Sequence, residues 1–318
     1  MESCTYNRND ICAYDLKDNS GYYDYDLVEE WKIAASKGKL LCADCGERVY
    51  LAAGAIKEPY FSHYDKLSCP YGNQIESEEI KKGKRLLYSL LKRSFPDKDI
   101  KVRYKLLNGM YSTYYISNSE GQAIAIDYRL QSGSIDNFNK RNDFYKNNKI
   151  IPIYISGIRK NNGSNQLSWY DNLLQKSAGL CIYLDAINEM AVMKKSFDYR
   201  LGNQRKVISV EKEYTLESLL IKEDGAFCCD FQDHCSRTEQ YIQECKNTYW
   251  ETIQSKKVYK KLNTNMSIDN KAIEKAGLRP DILNNAIKYL ERGEGQLVSR
   301  KYLDYIIEHK LIDERYYR

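Results

Sequence analysis

Hydrophobic positions recur along this chain with two periods, and the switch between them marks out its elements. Over residues 75–93 (IESEEIKKGKRLLYSLLKR), Ile80, Leu86, Leu87, Leu90 and Leu91 form one stripe at helical spacing, which predicts an amphipathic helix. After Phe95-Pro96-Asp97 the period drops to two. IKVRYKLL, MYSTYYIS and QAIAIDYR read as strands, separated by Asn108-Gly109 and by residues 118–121, and predict a three-stranded meander. In its third strand Ala123, Ala125, Asp127 and Arg129 share one face, and Ile124, Ile126 and Tyr128 the other. A helix over residues 135–147 follows. IIPIYIS then reads as a buried strand, with Pro152 suggesting an edge or the strand's first residues. The fold class expected is α/β of the α+β kind, with an αβββαβ core.

Ahead of this core, residues 11–16 predict a short strand and residues 25–36 a helix. LCADCG then presents Cys42 and Cys45 as a CxxC knuckle, with Gly46 where the backbone turns back. RVYLAAG and EPYFSH predict a hairpin that returns His63 to the thiolates, and Cys69 completes the set. Zinc takes four such donors as a tetrahedron. All four positions here are protein, so the expected cofactor is structural zinc rather than a catalytic ion with an open coordination place.

Behind the core, residues 157–168 read as a surface loop, LCIYLDA and EMAVMKK as a hairpin, and QRKVISVEKEY as another strand. Residues 237–262 predict a long helix. Three short helices follow in SIDNKAIEKAG, RPDILNNAIKYLERG and SRKYLDYIIEHK. Ser267 and Ser299 serve as N-caps, Pro280 sits at a helix start, and Gly277 and Gly293 lie near helix ends. The expected division is a metal-binding segment at 1–73, a core at 74–157, a connecting hairpin and helical region at 158–262, and a helical module at 263–318.

Composition changes this picture in three places. The chain has 29 Tyr against 7 Phe and 3 Trp, and its ten Cys point to metal ligands and free thiols rather than a disulfide framework. No run of 18 apolar residues and no leader-like N-terminus occur, so a cytoplasmic protein without a membrane partner is expected. The net charge of +5 has a location: residues 246–318 hold 15 Lys and Arg against 10 Asp and Glu, while the rest of the chain balances. That surplus fits an element lying near phosphates, and equally a solvated helical face.

Other features admit two readings each. Glu76 and Glu79 fall on the stripe side of the first core helix; they either meet a cation there or simply favour the helix dipole at its first turn. Cys228, Cys229, His234, Cys235 and Cys245 form a second metal site or a chance cluster of buried thiols, and no clean CxxC pair decides for the metal. Tyr241, Tyr249 and Trp250 are packing residues or a base-stacking platform.

Four blocks, LCADCG, PYFSH, ESEEIKKGKRLL and AIDYRLQSGSIDNFNKRNDFYKNNKIIPIYI, occur in an order that resembles the competence protein CoiA family. The resemblance implies a zinc-binding N-terminal segment, a restriction-endonuclease-like domain of the PD-(D/E)xK kind and a helical C-terminal region. It implies DNA as partner, a role in processing or recombination of DNA, and hydrolysis assisted by magnesium or manganese. Asp127 is then a metal ligand, Glu79 a second acid and Arg129 the transition-state cation. Arg141 and Tyr145 fall where the family has an Arg and a Tyr one helical turn apart.

The chain also departs from that pattern. Position 127 is Asp where Glu is commoner, position 129 is Arg where Gln is usual, and the place of the second-strand acid falls near Thr113. Ile80 and Tyr60 each stand where the family carries a His. One carboxylate rarely holds magnesium, since such sites need at least two acids with substrate oxygens. The competing expectation is a pseudonuclease whose Arg129, Lys140 and Arg141, with Tyr145, contact nucleic acid without cleaving it. Its C-terminal helical module would dock a protein partner.

Overall fold

The structure is a computed structural model and describes the chain apart from residues 19–20, 55–57, 66–68, 70–75, 118–121, 131–132, 158–166, 266–269 and 317–318, and apart from the side chains of residues 255–265. Two compact units divide it, Met1–Cys245 and Lys246–Arg318.

The first unit begins with β1 (Ser3–Tyr6) and β2 (Asn9–Cys12), an antiparallel pair, and a 3-10 turn over Ala13–Leu16. The single strand expected over 11–16 is thus strand only at Ile11 and Cys12 and 3-10 turn over the remaining four residues. Helix α1 (Tyr25–Ser36) starts at Asp24, whose carboxylate accepts the Leu27 N–H, and buries Val28, Trp31, Ala34 and Ala35. Strand β3 (Leu40–Leu41) adds to β1. The predicted hairpin is β4 (Val49–Ala52) with β5 (Tyr60–His63), in a register that sets Val49 across from His63.

The central sheet has seven strands. Helix α2 (Glu78–Ser94) precedes it, capped by the Ser77 hydroxyl on the Ile80 N–H. The meander is β6 (Ile100–Lys105), β7 (Tyr111–Ser117) and β8 (Ala123–Arg129), antiparallel throughout, with Gly109 at φ +81° in the first turn. Helix α3 (Ile135–Asn147) crosses over to β9 (Ile150–Gly157), which runs parallel to β8. Helix α4 (Trp169–Ala178) makes a second crossover to β10 (Cys181–Asp185), also parallel to β9. The long hairpin of β11 (Met190–Leu201) and β12 (Gln204–Thr215) completes the order β12-β11-β10-β9-β8-β7-β6.

Strand β9 therefore lies inside the sheet. Pro152 is tolerated because β10 joins β9 only from Ile155 onward, leaving the proline in the strand's first half, where β8 alone pairs with it. Helix α4 is not among the predicted elements. Its signals are Ser168, whose hydroxyl accepts the Asp171 N–H, and Gly179 at φ +83° as the C-cap. The predicted loop over 157–168 falls largely outside the described residues.

Two cores sandwich the sheet. On one face Leu86, Leu87, Leu90 and Leu91 of α2 pack on Tyr114, Ile116, Ile124, Ile126 and Tyr128. On the other, Phe138 and Tyr145 of α3 and Tyr170 and Leu174 of α4 pack on Ala123, Ala125, Tyr154 and Tyr183. Strand β8 alternates between them, as period two requires, and this alternation decides what can reach Asp127.

Helix α5 (Phe231–Asn265) starts in the first unit, where Phe231 and Cys235 join the α2-side core. In the second unit α6 (Asn270–Lys275), α7 (Pro280–Glu291) and α8 (Arg300–Glu308) bury Ile273, Leu283, Leu290 and Ile306 among themselves. Pro280 opens α7, and Gly277 and Gly293 take positive φ at +70° and +75°. Ser299 precedes α8 without a side-chain capping bond, and Ser267 falls outside the described residues. No helix among the described residues is long and apolar enough to cross a membrane.

Candidate functional site

The Cys42, Cys45, His63 and Cys69 cluster forms from three separate pieces of local structure. Cys42 and Cys45 come from a tight turn, in which the Gly46 N–H reaches the Cys42 carbonyl at 2.9 Å and Gly46 takes φ +74°. The β4-β5 hairpin brings His63 back, buried at 3 % exposure, and Cys69 follows, fully buried. The four donor atoms lie within 4.8 Å of one another. Tetrahedral zinc–thiolate bonds of about 2.3 Å set sulfurs roughly 3.8 Å apart, so the set fits one ion after a small contraction.

Chemistry inside the cluster agrees with that fit. Cys45 Sγ sits 3.3 Å from His63 Nε2, while His63 Nδ1 is buried without a hydrogen-bond partner among the described residues. Burial and the adjoining thiols of Cys42 and Cys69 push the Cys45 thiol up to about 11. A cation at the centre would bind these sulfurs as thiolates. Among the described residues this is the only group of three or more His, Cys, Asp or Glu donors so placed. The second candidate set disperses: Cys235 is buried in the core, Cys229 Sγ touches Met193 Sδ, and His234 pairs with Asp230.

Asp127 lies on the α3 face of β8, 4 % exposed. Arg141, one turn before Tyr145 on α3, reaches it from above. Arg141 Nη1 donates to the two Asp127 carboxylate oxygens at 3.0 and 3.2 Å and to the Tyr111 carbonyl at 2.6 Å. The Tyr145 hydroxyl donates to Asp127 Oδ2 at 3.0 Å. Burial pushes the Asp127 carboxyl above its usual range, against the opposing pull of Arg141 and then Arg129. Asp127, Arg129 and Arg141 line one cavity with Ser134 and Ser156. Its volume is about 10 Å³, room for roughly one water.

The structure brings some of the sequence-predicted residues together and not others. Arg129 lines the Asp127 cavity, but the carboxylate's ion pair is with Arg141. Arg141 and Tyr145 are not a nucleic-acid surface: they are 8 % and 0 % exposed and turned inward onto Asp127. Lys140 is exposed on the same helix. Glu79 does not join Asp127. It is exposed at the start of α2 and acts on the Tyr128 hydroxyl, which belongs to the opposite sheet face. Strand alternation is the reason: a helix packed on Tyr128 has the whole sheet between itself and residue 127. Glu76, the other acid expected to face inward, is held by Lys84.

The position where the resemblance leads one to expect a second acid is also visible. Strands β7 and β8 pair Tyr114 with Ile126, and one step further in that register sets Thr113 across from Asp127. The Thr113 hydroxyl accepts the Tyr128 N–H at 3.1 Å, so it continues the ladder where regular pairing stops. Tyr154 and Ser156, absent from the predicted site, come from β9. Their signal was the same alternation, since Tyr154 pairs with Asp127.

Residues 25–72 match the family model described as competence protein CoiA, N-terminal domain, and residues 76–223 match that described as competence protein CoiA, nuclease-like domain. The second match runs past β9 through the long hairpin. The competence protein CoiA of Bacillus subtilis (strain 168) is similar, 27 % identical over 122 residues, or 38 % of this chain and 32 % of that protein. The match thus spans about a third of that curated relative's length. No solved structure matches this chain.

Proposed function

Because this chain belongs to the competence protein CoiA family, and carries its nuclease-like domain, we propose that it engages DNA through that domain without metal-dependent cleavage. The observation that carries this reading is the Asp127–Arg141 pair. A nuclease of this fold class needs its acids to neutralise a divalent cation, and two acids are the usual minimum. Here the one acid on the α3 face of β8 is already neutralised by a buried guanidinium, and Thr113 takes the place of its partner. Arg129 and Lys140 remain as the predicted cations for phosphate contact. The family relation supports DNA as the partner, with processing or recombination of DNA as the setting.

The N-terminal cluster is, in this reading, a structural zinc centre. Cys42, Cys45, His63 and Cys69 would hold the ion, which supplies cross-linking energy to a segment whose elements are short.

The test combines binding and cleavage. The zinc-loaded full chain is mixed with labelled single- and double-stranded DNA in magnesium or manganese, at several salt concentrations. Retention that falls with salt, is weakened by Arg129→Ala with Lys140→Ala, and leaves the DNA intact is the expected result. Metal-dependent cleavage abolished by Asp127→Ala overturns the non-cleaving reading and restores a hydrolytic one. No retention at low salt overturns DNA as the partner.

A further inference from the structure

Between the two ligands of the CxxC turn stands Asp44, a residue that no zinc chemistry requires. Its carboxylate leaves the knuckle and lands on the central sheet. Asp44 Oδ1 accepts the Tyr111 hydroxyl at 2.8 Å, and Oδ2 pairs with Arg103. The Arg103 guanidinium also lies over the Tyr111 ring, 4.6 Å from its centroid. The carboxylate is 15 % exposed. Three side chains from β6, β7 and the knuckle thus close on one another.

Two facts set this latch apart from ordinary docking. Arg103 takes φ +51° in the middle of a strand, a left-handed conformation that a non-glycine residue keeps only where its surroundings hold it. Its position is also specific, since it falls between the pairs Val102–Tyr114 and Tyr104–Ser112, opposite the stretch of β7 that holds Thr113. The other end of Tyr111 then completes a path. Its carbonyl accepts Arg141 Nη1 at 2.6 Å, the same nitrogen that holds Asp127. The N-terminal segment has further ion pairs to α2, such as Glu58 with Arg85, but α2 packs on the opposite face of the sheet.

We propose that Asp44 is a positioning residue that couples the metal knuckle to the Asp127 pocket: the loaded knuckle holds Asp44 on Arg103 and Tyr111, and Tyr111 seats Arg141 on Asp127. Zinc in this protein then does more than stabilise its own segment. It sets the geometry of the buried acid some 80 residues further along the chain. This rests on the structural-zinc reading of the cluster and is independent of whether DNA is cleaved.

Hydrogen–deuterium exchange of the zinc-loaded full chain tests it, with metal content measured on the same samples. Asp44→Asn, which removes charge but no ligand, should retain about one zinc per chain. It should also speed exchange about five-fold or more at the amides around 111–113, 127–129 and 141–145, the loss of one charge-assisted hydrogen bond. Chelation of the wild type should do the same. Glu58→Gln, which cuts the contact to α2, should leave those amides unchanged. Unchanged exchange in Asp44→Asn, or an equal effect from Glu58→Gln, overturns the coupling. If Asp44→Asn loses its zinc, Tyr111→Phe decides: it keeps the ring, removes only the hydroxyl bond to Asp44, and must show the same acceleration. Failure to find zinc in the wild type sinks the metal reading instead, and so is distinguishable.

Discussion

Replacing Arg141 by Met separates the protein's need for a cation at Asp127 from its need for bulk. The pair is deeply buried, with 10 % of the Arg141 side chain and 4 % of that of Asp127 exposed. One guanidinium nitrogen holds both carboxylate oxygens and the Tyr111 carbonyl. In Arg141→Met the carboxylate keeps only the Tyr145 hydroxyl, and the Tyr111 carbonyl loses its charged donor. Leaving one half of a buried ion pair costs about 3–5 kcal/mol. Removing both halves costs less, so Asp127→Asn with Arg141→Met should recover a large part of the loss. The sign of the pH dependence follows from Asp127, whose carboxyl burial already raises. Without Arg141 it rises further, so the folded variant binds its proton more tightly than the unfolded chain does. Its deficit should therefore shrink as pH falls toward the ordinary carboxyl range. Urea unfolding followed by circular dichroism at pH 7 and at lower pH gives all three quantities. A single-variant cost below about 1 kcal/mol, or a double variant as damaged as the sum of the singles, would show that the pair is not the organising contact of the pocket.

The remaining expectations are shorter. Elemental analysis should find about one zinc per chain, and Cys42→Ser or Cys69→Ser should lose the metal and destabilise the N-terminal segment; a fully folded wild type without metal would count against the centre. Glu2 is buried beside Lys84 and the Met1 ammonium; burial pushes its carboxyl up, but the two cations outweigh that and hold it at about 2 against an ordinary 4.5. Its contribution is complete above pH 4.5 and is lost as pH falls toward 2, so wild type should lose stability more steeply than Glu2→Gln across that window, and parallel curves would be inconsistent with the network. A Cβ on Gly83 would lie 2.4 Å from the Tyr128 hydroxyl oxygen, so Gly83→Ala should cost about 1–3 kcal/mol in thermal or urea unfolding. Tyr128→Phe in the same chain should return part of it, because that oxygen is buried without a partner among the described residues; no recovery would mean that the clash lies elsewhere.

Much of this architecture was legible in periodicity. The meander, α3 at Ile135–Asn147 and β9 were all readable because strand alternation and helical spacing persisted over whole elements. The Cys and His cluster was equally legible, since CxxC fixes two of its members locally and a hairpin signal fixes the third. What escaped is what depends on tertiary placement. Helix α4 has a weak stripe that two caps bracket. The pairing of Arg141 with Asp127 required knowing that α3 lies back over β8. The association of Glu79 with Asp127 failed because spacing along α2 says which residues share a helix face, and nothing about which sheet face that helix covers. Tyr128, neighbour of Asp127 in sequence, was the true marker: its side chain meets Gly83 of α2, so residue 127 must point away from that helix.

The same geometry explains how a buried acid is accommodated at position 127. A buried carboxylate on a central strand is costly unless something positive meets it. In a metal-dependent nuclease that something is the ion, which in turn needs a second acid so that its own charge is balanced. Here Arg141 brings a single positive charge, which one carboxylate balances. Arg129 lines the same cavity of about 10 Å³ and adds a second positive charge beside the carboxylate. Threonine suits position 113 because its hydroxyl accepts the Tyr128 N–H that regular pairing leaves over. In the coupling proposed above, this fixed cation is the group that Tyr111 connects to Asp44, its carbonyl on Arg141 and its hydroxyl on the Asp44 carboxylate.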